Sequence, residues 1–402
     1  DLHSFPTRRS SDLWQTMALR RGDVAGPHVA LCLPNLCGGG AERSTVQIAN
    51  GLARRGYRVD LVVLQRRGPY LNEVDPAVSV VDLGVPRARH AVRPLARYLR
   101  EARPELAISN LLNIPLVLAG KLSGSDARTI LTERSLFSSI RKDARKMGEA
   151  LSLALARFFY PLSDVVVSVS RAGADDLVAL GLVPREKVRV IHNPVLTDSV
   201  AVLARSLPSH EWLVDKRAPV VLAAGRLAPE KNFDLLLRAF QALSASRAEP
   251  VRLIILGEGS ERDELERLAL ELGVSDRVSM PGFVDNPYAY MSRADAFVLC
   301  SRYEGLPGVL IQAMACGLTP VVADSPGGSA EILGPSFEAL LVPPDDERSL
   351  ARRIGEVLDA PANPESLHER ASCFSERASL DAWEALFFEL GFPSAKDRKS
   401  VV

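Results

Sequence analysis

The sequence predicts an α/β protein made of two doubly wound domains, each a parallel sheet with helices on both faces. Short apolar runs of strand length alternate with segments of helical periodicity. The alternation weakens between about Pro194 and Pro219 and then starts again, which predicts a linker there. A chain of 402 residues is also long for a single hydrophobic core. Two such sheets leave a cleft, and ligands bind beyond the carboxyl ends of their strands.

The first predicted unit opens with the apolar run "HVALCLPN", which begins at His28 and ends in a Pro-Asn turn signal. A glycine-rich turn follows, and then a helix whose apolar side chains share one face and which Gly56 ends. The remaining strands of this unit are predicted in "YRVDLVVL", "LAISN", "RTILT", "DVVVSVS" and "VRVIHNP".

The second predicted unit begins at Pro219 and repeats the same alternation. Its strands are predicted in "PVVLAAGRL", "VRLIILGEG", "VSMPGF", "DAFVLCS" and "TPVVAD". The helices between them are predicted in "NFDLLLRAFQAL", "ERDELERLALELG", "NPYAYMSRA" and "PGVLIQAMACG".

We therefore divide the chain into domains at 14–200 and 201–396, with a final helix able to cross back to the first domain. The tails 1–13 and 397–402 stand apart from this scheme. "TRRSSD" and "DRKSVV" correspond to the two strands of one sequencing-adapter oligonucleotide when each is translated. We interpret both tails as adapter-derived scars and leave them out of the fold; genuine disordered tails are the alternative.

The composition indicates a soluble globular protein, with 47% apolar and 24% charged residues. No apolar run reaches the roughly 20 residues of a membrane span, and the nearest, "ALSLALARFFYPL", contains Arg157. No Cys-x-x-Cys pair occurs, so neither a disulfide framework nor a zinc site is predicted. The cysteines read as buried thiols of a reducing compartment: Cys32, Cys37, Cys300, Cys316 and Cys373.

The zero net charge conceals an asymmetry between the halves. Trp14 to Val200 holds 26 basic and 17 acidic residues, a net charge of +9, and Ala201 to Lys396 holds 19 and 29, a net charge of −10. A basic half suggests contact with an anionic surface or substrate, although a chance partition of surface charge would look the same.

The turn "GRLAPEK" places two cations at the carboxyl end of a predicted strand. Arg226 and Lys231 there would suit a diphosphate, which needs charge neutralisation and several donors. Alternatively, both are surface cations paired with Glu230 and Asp234. The run Gly38, Gly39 and Gly40 lies between the first strand and helix, where backbone can approach an anion; a simple tight turn is the alternative.

The stretch "EGLPGVLIQAMACG" begins at Glu304 and combines an acid, a turn and a helix. Pro307 near the first helical position leaves the amides of Gly308, Val309 and Leu310 free to face an anion. Gln312 lies one helical turn beyond Gly308 on the same face. Glu304 and Gln312 can each bind hydroxyls, and they lie on either side of the amides that would hold a phosphate. This arrangement matches a nucleotide sugar; the alternative is that Gln312 simply faces solvent.

Five stretches together resemble the family 4 retaining glycosyltransferases of GT-B fold, over most of the chain from His28 to Trp383. They are "GGGAERSTVQIANGLARRG", "VIHNPV", "GRLAPEKNFDLLLRAF", "LIILGEGSERDELERLALELG" and "SRYEGLPGVLIQAMACGLTPVVADSPGGSAEIL". The resemblance implies that the first domain binds the acceptor and the second binds the nucleotide sugar.

The resemblance also implies residue roles. Glu304 would contact the donor sugar, and Arg226 and Lys231 would hold the diphosphate, so these three form the predicted catalytic set. The predicted donor-binding set adds Gly38, Gly39, Gly40, Gly225, Phe283, Gly305, Leu306, Pro307, Gly308, Val309 and Gln312.

The chain departs from the family pattern at two places. The second acid of the family's Glu-x7-Glu pair, which holds the ribose hydroxyls, is replaced here by Gln312, which keeps hydrogen bonding and loses the charge. Many relatives have a His after the strand that here reads "TILTERS". Glu133 and Arg134 occupy that region and are acceptor-side candidates; polysaccharide and lipid-linked oligosaccharide transferases read Glu-Arg there too.

The resemblance implies a retaining, metal-independent hexosyl- or N-acetylhexosaminyl-transferase of bacterial polysaccharide, lipopolysaccharide or glycolipid synthesis. We expect a UDP-sugar rather than a GDP-sugar as the donor. The expected acceptor is a glycan or a polyprenyl-linked molecule. No cofactor, metal ion or nucleic acid is expected to bind. A nucleotide-sugar epimerase and a non-catalytic sugar-binding protein are the alternatives.

Two basic stretches of the first domain predict attachment to an anionic membrane surface, so we expect a cytoplasmic protein, peripheral at the inner face of the membrane. One is the arginine-rich segment 86–105, and the other, 134–162, mixes Arg141, Lys142, Arg145 and Lys146 with aromatic residues. In the competing interpretation, Phe158 and Phe159 are core residues and the arginines form a solvated face.

Overall fold

A computed structural model of the chain describes residues 26–139 and 147–393, with the side chains of 147–152 left out. Both tails interpreted as adapter scars lie outside the described residues, and so does the basic cluster Arg141–Lys146. Within the described part, the predicted fold class is confirmed: the chain forms two parallel sheets with helices packed on their faces.

The first domain contains a seven-stranded parallel sheet with the order β3-β2-β1-β4-β5-β6-β7. Its strands are β1 (His28–Leu33), β2 (Arg58–Val63), β3 (Ser79–Asp82), β4 (Leu106–Asn110), β5 (Arg128–Glu133), β6 (Val165–Ser168) and β7 (Val188–Val190). The helices of this domain are α1 (Gly40–Arg54), α2 (Val92–Ala102), α3 (Asn113–Ser123), α4 (Met147–Phe159) and α5 (Arg171–Ala179).

The second domain contains a six-stranded parallel sheet with the order β10-β9-β8-β11-β12-β13. Its strands are β8 (Val220–Ala224), β9 (Arg252–Leu256), β10 (Val278–Gly282), β11 (Ala296–Leu299), β12 (Pro320–Ala323) and β13 (Leu341–Val342). The remaining helices are α6 (Ser199–Leu203), α7 (Glu211–Val214), α8 (Phe233–Ser246), α9 (Arg262–Glu271), α10 (Pro287–Met291), α11 (Gly308–Ala315), α12 (Ser329–Leu333), α13 (Glu347–Asp359), α14 (Pro364–Ser372) and α15 (Glu376–Glu389).

Each sheet is buried on both faces, which explains why its strands read as continuous apolar runs. Along β1, Val29 and Leu31 belong to one core cluster, and Ala30 and Cys32 belong to the cluster on the opposite face. In both sheets the strand order reverses beside the first strand, between β1 and β4 and between β8 and β11. Such reversals open a crevice at the carboxyl ends of the strands, where ligands bind.

Two short edge strands, β3 and β13, were not predicted. β3 has four residues, of which only Val81 is fully buried, and β13 has two. Segments this short carry little periodicity, so pairing with a neighbouring strand decides their conformation.

The predicted linker 194–219 is more ordered than its weak periodicity suggests. It contains α6 and α7, whose residues Val200 and Leu213 are buried in a core cluster of the second domain. Most of this segment is therefore part of the second domain. The chain passes between the domains just before it, beside Pro194.

The last helix, α15, returns to the first domain. Leu380, Trp383 and Phe387 are buried against the cluster that contains β1 and α1. The two passages between the domains run side by side, with Val195 N donating to Phe374 O at 3.1 Å and Glu376 N donating to Leu196 O at 2.8 Å. This pairing sets where the carboxyl ends of the two sheets face each other.

Candidate active site

A cavity of about 260 Å³ lies between the two domains. From the first domain it is lined by the start of α1 and by Arg134, which follows β5. From the second domain it is lined by the segment after β11, including Glu304, Gly308 and Gln312, and the passage 193–195 closes it between them. Every wall thus follows the carboxyl end of a strand, as the strand order requires.

Glu304 lines this cavity and pairs with Lys231. Lys231 Nζ lies 2.5 Å from Glu304 Oε1, and Ser301 Oγ donates to the same oxygen at 2.8 Å. Both charged side chains are mostly buried, with exposed fractions of 21% and 12%. The turn after β8 and the turn after β11 bring them together, because these two strands are neighbours in the sheet.

The alternative pairing of the two cations with Glu230 and Asp234 is wrong for Lys231, which pairs with Glu304. Asp234 instead faces Arg302 at 3.6 Å. Arg226 is exposed and stands apart from the described residues that line the cavity. Gly225 lies beside the Lys231 side chain, and a Cβ there would contact Lys231 Cδ and Cε at an ordinary distance of 3.6 Å.

Glycines let the backbone around Glu304 pack closely on two sides. Glu304 N donates to Pro326 O at 3.0 Å, and a Cβ on Gly327 would lie 1.8 Å from Glu304 O. Across the domain boundary, a Cβ on Gly305 would lie 1.8 Å from Arg134 O. A side chain at either glycine would displace the backbone that carries Glu304.

Helix α11 points its N-terminus into the cavity. Pro307 is the N-cap residue, one position before the helix begins at Gly308. Leu306 and Gly308 line the cavity, whereas the amide of Leu310 is already engaged, donating to Pro307 O at 3.1 Å. The expectation of three free amides is therefore wrong for Leu310, and the amides of Gly308 and Val309 are the ones left for an anion.

Gln312 is half-buried in the cavity wall, so the interpretation that it simply faces solvent is wrong. Its Nε2 donates to the hydroxyl of Tyr288 at 3.2 Å. Tyr288 is buried in the core of the second domain.

The glycine run before α1 reaches the cavity only at its end. Gly38 and Gly39 have φ angles of 125° and 133°, which favour glycine, and Gly39 is the N-cap of α1. Gly40, the first helical residue, lines the cavity. Phe283, also predicted to bind the donor, is 78% exposed after β10 and lies apart from the described lining.

Arg134 joins three segments of the chain. Its Nε donates to Asn110 Oδ1 at 2.7 Å, and its Nη1 donates to Ser44 Oγ at 2.5 Å and to Asn193 Oδ1 at 2.8 Å. Burial lowers the pKa of the guanidinium to about 10, so it remains charged at neutral pH. Among the described residues no carboxylate pairs with it, so the cavity presents a cation held by neutral side chains.

Glu133, the other acceptor-side candidate, turns away from the cavity lining. It accepts hydrogen bonds from the hydroxyl of Tyr160 at 2.9 Å and from the amides of Arg134 and Ser135 at 3.0 and 3.3 Å. Burial raises the pKa of the Glu133 carboxyl, and these hydrogen bonds oppose that effect. Glu133 thus holds the backbone that carries Arg134.

Two family models match this chain in tandem. The model described as Glycosyltransferase Family 4 matches residues 38–199, and the one described as Glycosyl transferases group 1 matches residues 209–373. The chain belongs to the family 4 glycosyltransferases. Its two facing parallel-sheet domains are the GT-B fold.

Several relatives and solved structures are similar to this glycosyltransferase. It is 30% identical over 250 residues, 62% of this chain and 66% of the relative, to the N-acetylgalactosamine-N,N'-diacetylbacillosaminyl-diphospho-undecaprenol 4-alpha-N-acetylgalactosaminyltransferase of Campylobacter jejuni. It is 27% identical to the lipopolysaccharide core biosynthesis glycosyltransferase LpsE of Rhizobium meliloti, over 86% of this chain and 94% of the relative. Its fold matches that of Anabaena HepE, solved with UDP and glucose, at 19% identity and a TM-score of 0.72, covering 90% of this chain and 100% of HepE.

Sequence reasoning missed several residues of the transferase's site. Glu331 accepts from His192 Nε2 at 2.8 Å and from the amide of Arg171 at 2.6 Å, and thereby links the two domains. Asn193 and Asn110 hold Arg134. His192, Asn193 and Glu331 fall in the stretches "VIHNPV" and "SPGGSAEIL", and their presence in stretches that carry the family resemblance was the available signal.

Neither a membrane-spanning helix nor a metal-binding cluster occurs in residues 26–139 and 147–393 of the transferase. No helix there is long and apolar enough to cross a bilayer. No group of three or more His, Cys, Asp and Glu side chains there could hold a metal ion. The prediction that the cysteines are buried is wrong for Cys37 and Cys373, which are exposed.

Replacing Gln312 tests its part in donor binding. We expect Gln312→Ala to weaken the donor Kd by about 2- to 10-fold, the range for one neutral hydrogen bond, with a smaller effect on kcat. Gln312→Glu should keep activity, because a carboxylate also accepts from hydroxyls. Titration calorimetry and initial rates measure both effects, and an unchanged Kd for Gln312→Ala would remove this residue from the donor site.

Proposed function

We propose that this glycosyltransferase moves a hexosyl or N-acetylhexosaminyl group from a UDP-sugar to a glycan or polyprenyl-linked acceptor, with retention at the anomeric carbon. The observation that carries the proposal is the Lys231–Glu304 pair, whose carboxylate lines the cavity between the domains together with Gly308 at the N-terminus of α11. A cation and a helix N-terminus suit a diphosphate, and an adjacent carboxylate suits sugar hydroxyls.

In the proposed reaction the bond between the anomeric carbon and the diphosphate oxygen breaks as an oxocarbenium-like centre develops. Lys231 and the amides of Gly308 and Val309 stabilise the charge that collects on the departing diphosphate. Arg226 joins them in this proposal by turning its exposed side chain toward the bound donor from the turn after β8. The acceptor hydroxyl attacks from the same face and forms the new glycosidic bond, and its proton passes to an oxygen of the leaving phosphate. These steps need no metal ion.

The names of relatives support the acceptor and donor classes in this proposal. One relative is named for a diphospho-undecaprenol acceptor and another for lipopolysaccharide core synthesis. The structural neighbour HepE was solved with UDP and glucose. The cationic Arg134 on the first-domain wall is suited to an acceptor or donor that carries phosphate.

A donor screen with and without a bacterial lipid extract tests the proposal. We expect UDP release from a UDP-sugar that rises when the lipid extract is added, unaffected by EDTA, and a product whose anomeric configuration by NMR equals that of the donor. Free epimer formed without any acceptor would favour a nucleotide-sugar epimerase. Nucleotide-sugar binding without turnover under all conditions would favour a non-catalytic binding protein.

We further propose that the first domain attaches to the inner face of the cytoplasmic membrane. Phe158 is 69% exposed and Leu155 is 38% exposed on α4, and Leu122 on the neighbouring α3 is 55% exposed. Phe159, by contrast, packs against the first-domain core, so the two aromatic residues divide between the surface and the core. Arg93 on α2 and the cluster 141–146, which lies outside the described residues, supply the positive charge.

Sedimentation with vesicles tests this attachment. The chain should sediment with anionic vesicles and not with neutral ones, and binding should fall as salt rises, because each cation contributes on the order of 1 kcal/mol near an anionic leaflet. Phe158→Ser combined with Leu155→Ser should weaken binding. Leu270→Ser is the matched control, since Leu270 is 67% exposed on the second domain. Equal sedimentation with neutral and anionic vesicles, or none with either, would contradict the attachment.

A further inference from the structure

Tyr288 is a buried side chain with its hydroxyl at the cavity wall. It lies on α10, is 4% exposed, and belongs to a core cluster of the second domain. Its hydroxyl accepts from Gln312 Nε2 at 3.2 Å, and Gln312 itself lines the cavity. The ring is fixed by its burial, so the hydroxyl offers the amide a partner at a constant position.

An amide at position 312 has a requirement that a carboxylate does not have. Both oxygens of a carboxylate accept hydrogen bonds, so either can face a ligand hydroxyl in any rotation of the group. An amide has one accepting end and one donating end. A glutamine that accepts from a ligand must therefore have its donating end turned away from that ligand.

Tyr288 meets that requirement. With Nε2 of Gln312 directed to the Tyr288 hydroxyl, the opposite atom, Oε1, is the end left for a ligand in the cavity. Burial raises the pKa of Tyr288, and Arg43 on the first domain and the Gln312 hydrogen bond oppose that effect. The hydroxyl therefore stays protonated at neutral pH.

The order of groups along the cavity indicates which part of the ligand meets Gln312. Glu304, which pairs with Lys231, comes before the α11 N-terminus at Gly308, and Gln312 comes one turn into the helix; all but Lys231 line the cavity. In a nucleotide sugar the sugar and the ribose flank the diphosphate. If the diphosphate lies at Gly308 and the sugar at Glu304, the ribose lies at Gln312.

We propose that Tyr288 is a positioning residue that orients the Gln312 amide, so that Oε1 accepts a hydrogen bond from a ribose hydroxyl of the bound nucleotide sugar. The inference rests on the proposed function, because it requires a nucleotide in the cavity. It explains how the site can hold ribose without the second acid: the pair Tyr288 and Gln312 replaces one carboxylate.

The test compares UDP with 2',3'-dideoxy-UDP, which lacks the two hydroxyls, by titration calorimetry on the full chain. Wild type should bind UDP more tightly, by about 5- to 10-fold. Tyr288→Phe should reduce this preference to about 2-fold or less, through weaker binding of UDP and unchanged binding of the dideoxy analogue. In kinetics the same variant should raise the donor KM with little change in kcat.

Two further variants separate positioning from a structural effect. Tyr290→Phe removes a hydroxyl from the same helix, where Tyr290 is equally buried and contacts Ser209 Oγ at 3.0 Å, and it should keep the full preference for UDP. Adding Gln312→Glu to Tyr288→Phe should restore the preference, because a carboxylate needs no orientation.

The outcomes distinguish this inference from the proposed function. A full preference for UDP in Tyr288→Phe, equal losses for UDP and its dideoxy analogue, or no preference in wild type would overturn the role of Tyr288 while leaving a nucleotide-binding transferase. If wild type binds neither UDP nor GDP, measured in parallel, the proposed function and this inference are both overturned.

Discussion

Replacing Lys231 by alanine is expected to lower kcat/KM for the donor by about 10- to 150-fold, the scale of a charged hydrogen bond worth about 1.5–3 kcal/mol. The change removes the cation proposed to hold the diphosphate. It also leaves the Glu304 carboxylate, 12% exposed, without the ammonium that now lies 2.5 Å from it. Initial-rate measurements over a range of donor concentrations give the effect on kcat and KM separately.

Lys216→Ala is the matched control for this variant. Lys216 also forms an ion pair in the second domain, with Asp295 at 2.8 Å, but its partner lies outside the described lining of the cavity, whereas Glu304 belongs to it. Its replacement should leave kcat/KM within about 2-fold. Arg226→Ala belongs in the same series, because Arg226 is the second cation proposed to hold the diphosphate. Unchanged turnover in both Arg226→Ala and Lys231→Ala would show that these two cations have no part in the mechanism.

The second large effect is expected for Arg134→Ala, which should lower activity by about 100-fold and stability by about 1–3 kcal/mol. The guanidinium donates to Asn110, Ser44 and Asn193, so its loss removes one hydrogen bond from each of these side chains. It also removes the cation from the first-domain wall. Arg134→Lys should not rescue activity, because one ammonium cannot reproduce the planar fork of the guanidinium.

Arg128→Ala controls for the loss of an arginine from the same strand region. Arg128 begins β5, is more than half exposed, and pairs with Asp164 at 3.0 Å at the opposite end of the strand. Thermal unfolding and activity of both variants should be measured side by side. An Arg134→Ala protein with wild-type activity would show that Arg134 only ties the three segments together structurally.

The fold was predictable to the extent that its strands are buried. Every strand except β3 and β13 was predicted; these strands have four to six residues, or three in β7. Strands β3 and β13 were missed because each is short and buries a single residue, Val81 and Val342 respectively. Segment 194–219 was taken for a linker because α6 and α7 are too short to show periodicity, although Val200 and Leu213 anchor them in the core.

The site was predictable as a set of motifs and not as a set of contacts. Lys231 and Glu304 were both predicted, but their mutual pairing was not, because it joins turns 73 positions apart in the sequence. Gln312 was recognised as a departure from the family's acid, whereas its partner Tyr288 gave no sequence signal. Glu133 and Arg134 are adjacent in sequence, and the structure separates them, with one in the cavity wall and the other beneath it.

By itself, the sequence determined the class of the protein: two doubly wound domains, a cleft between them, and the family to which the chain belongs. These follow from local periodicity and from motifs whose residues are close in the chain. Only the tertiary structure decided that Lys231 pairs with Glu304, that Arg134 bridges three segments, and that Tyr288 holds Gln312. Hydrogen bonds and ion pairs depend on distances of about 3 Å. Distances between residues that are remote in the sequence are set by the order of the strands in each sheet and by the packing of the two domains. A local sequence pattern carries no information about either.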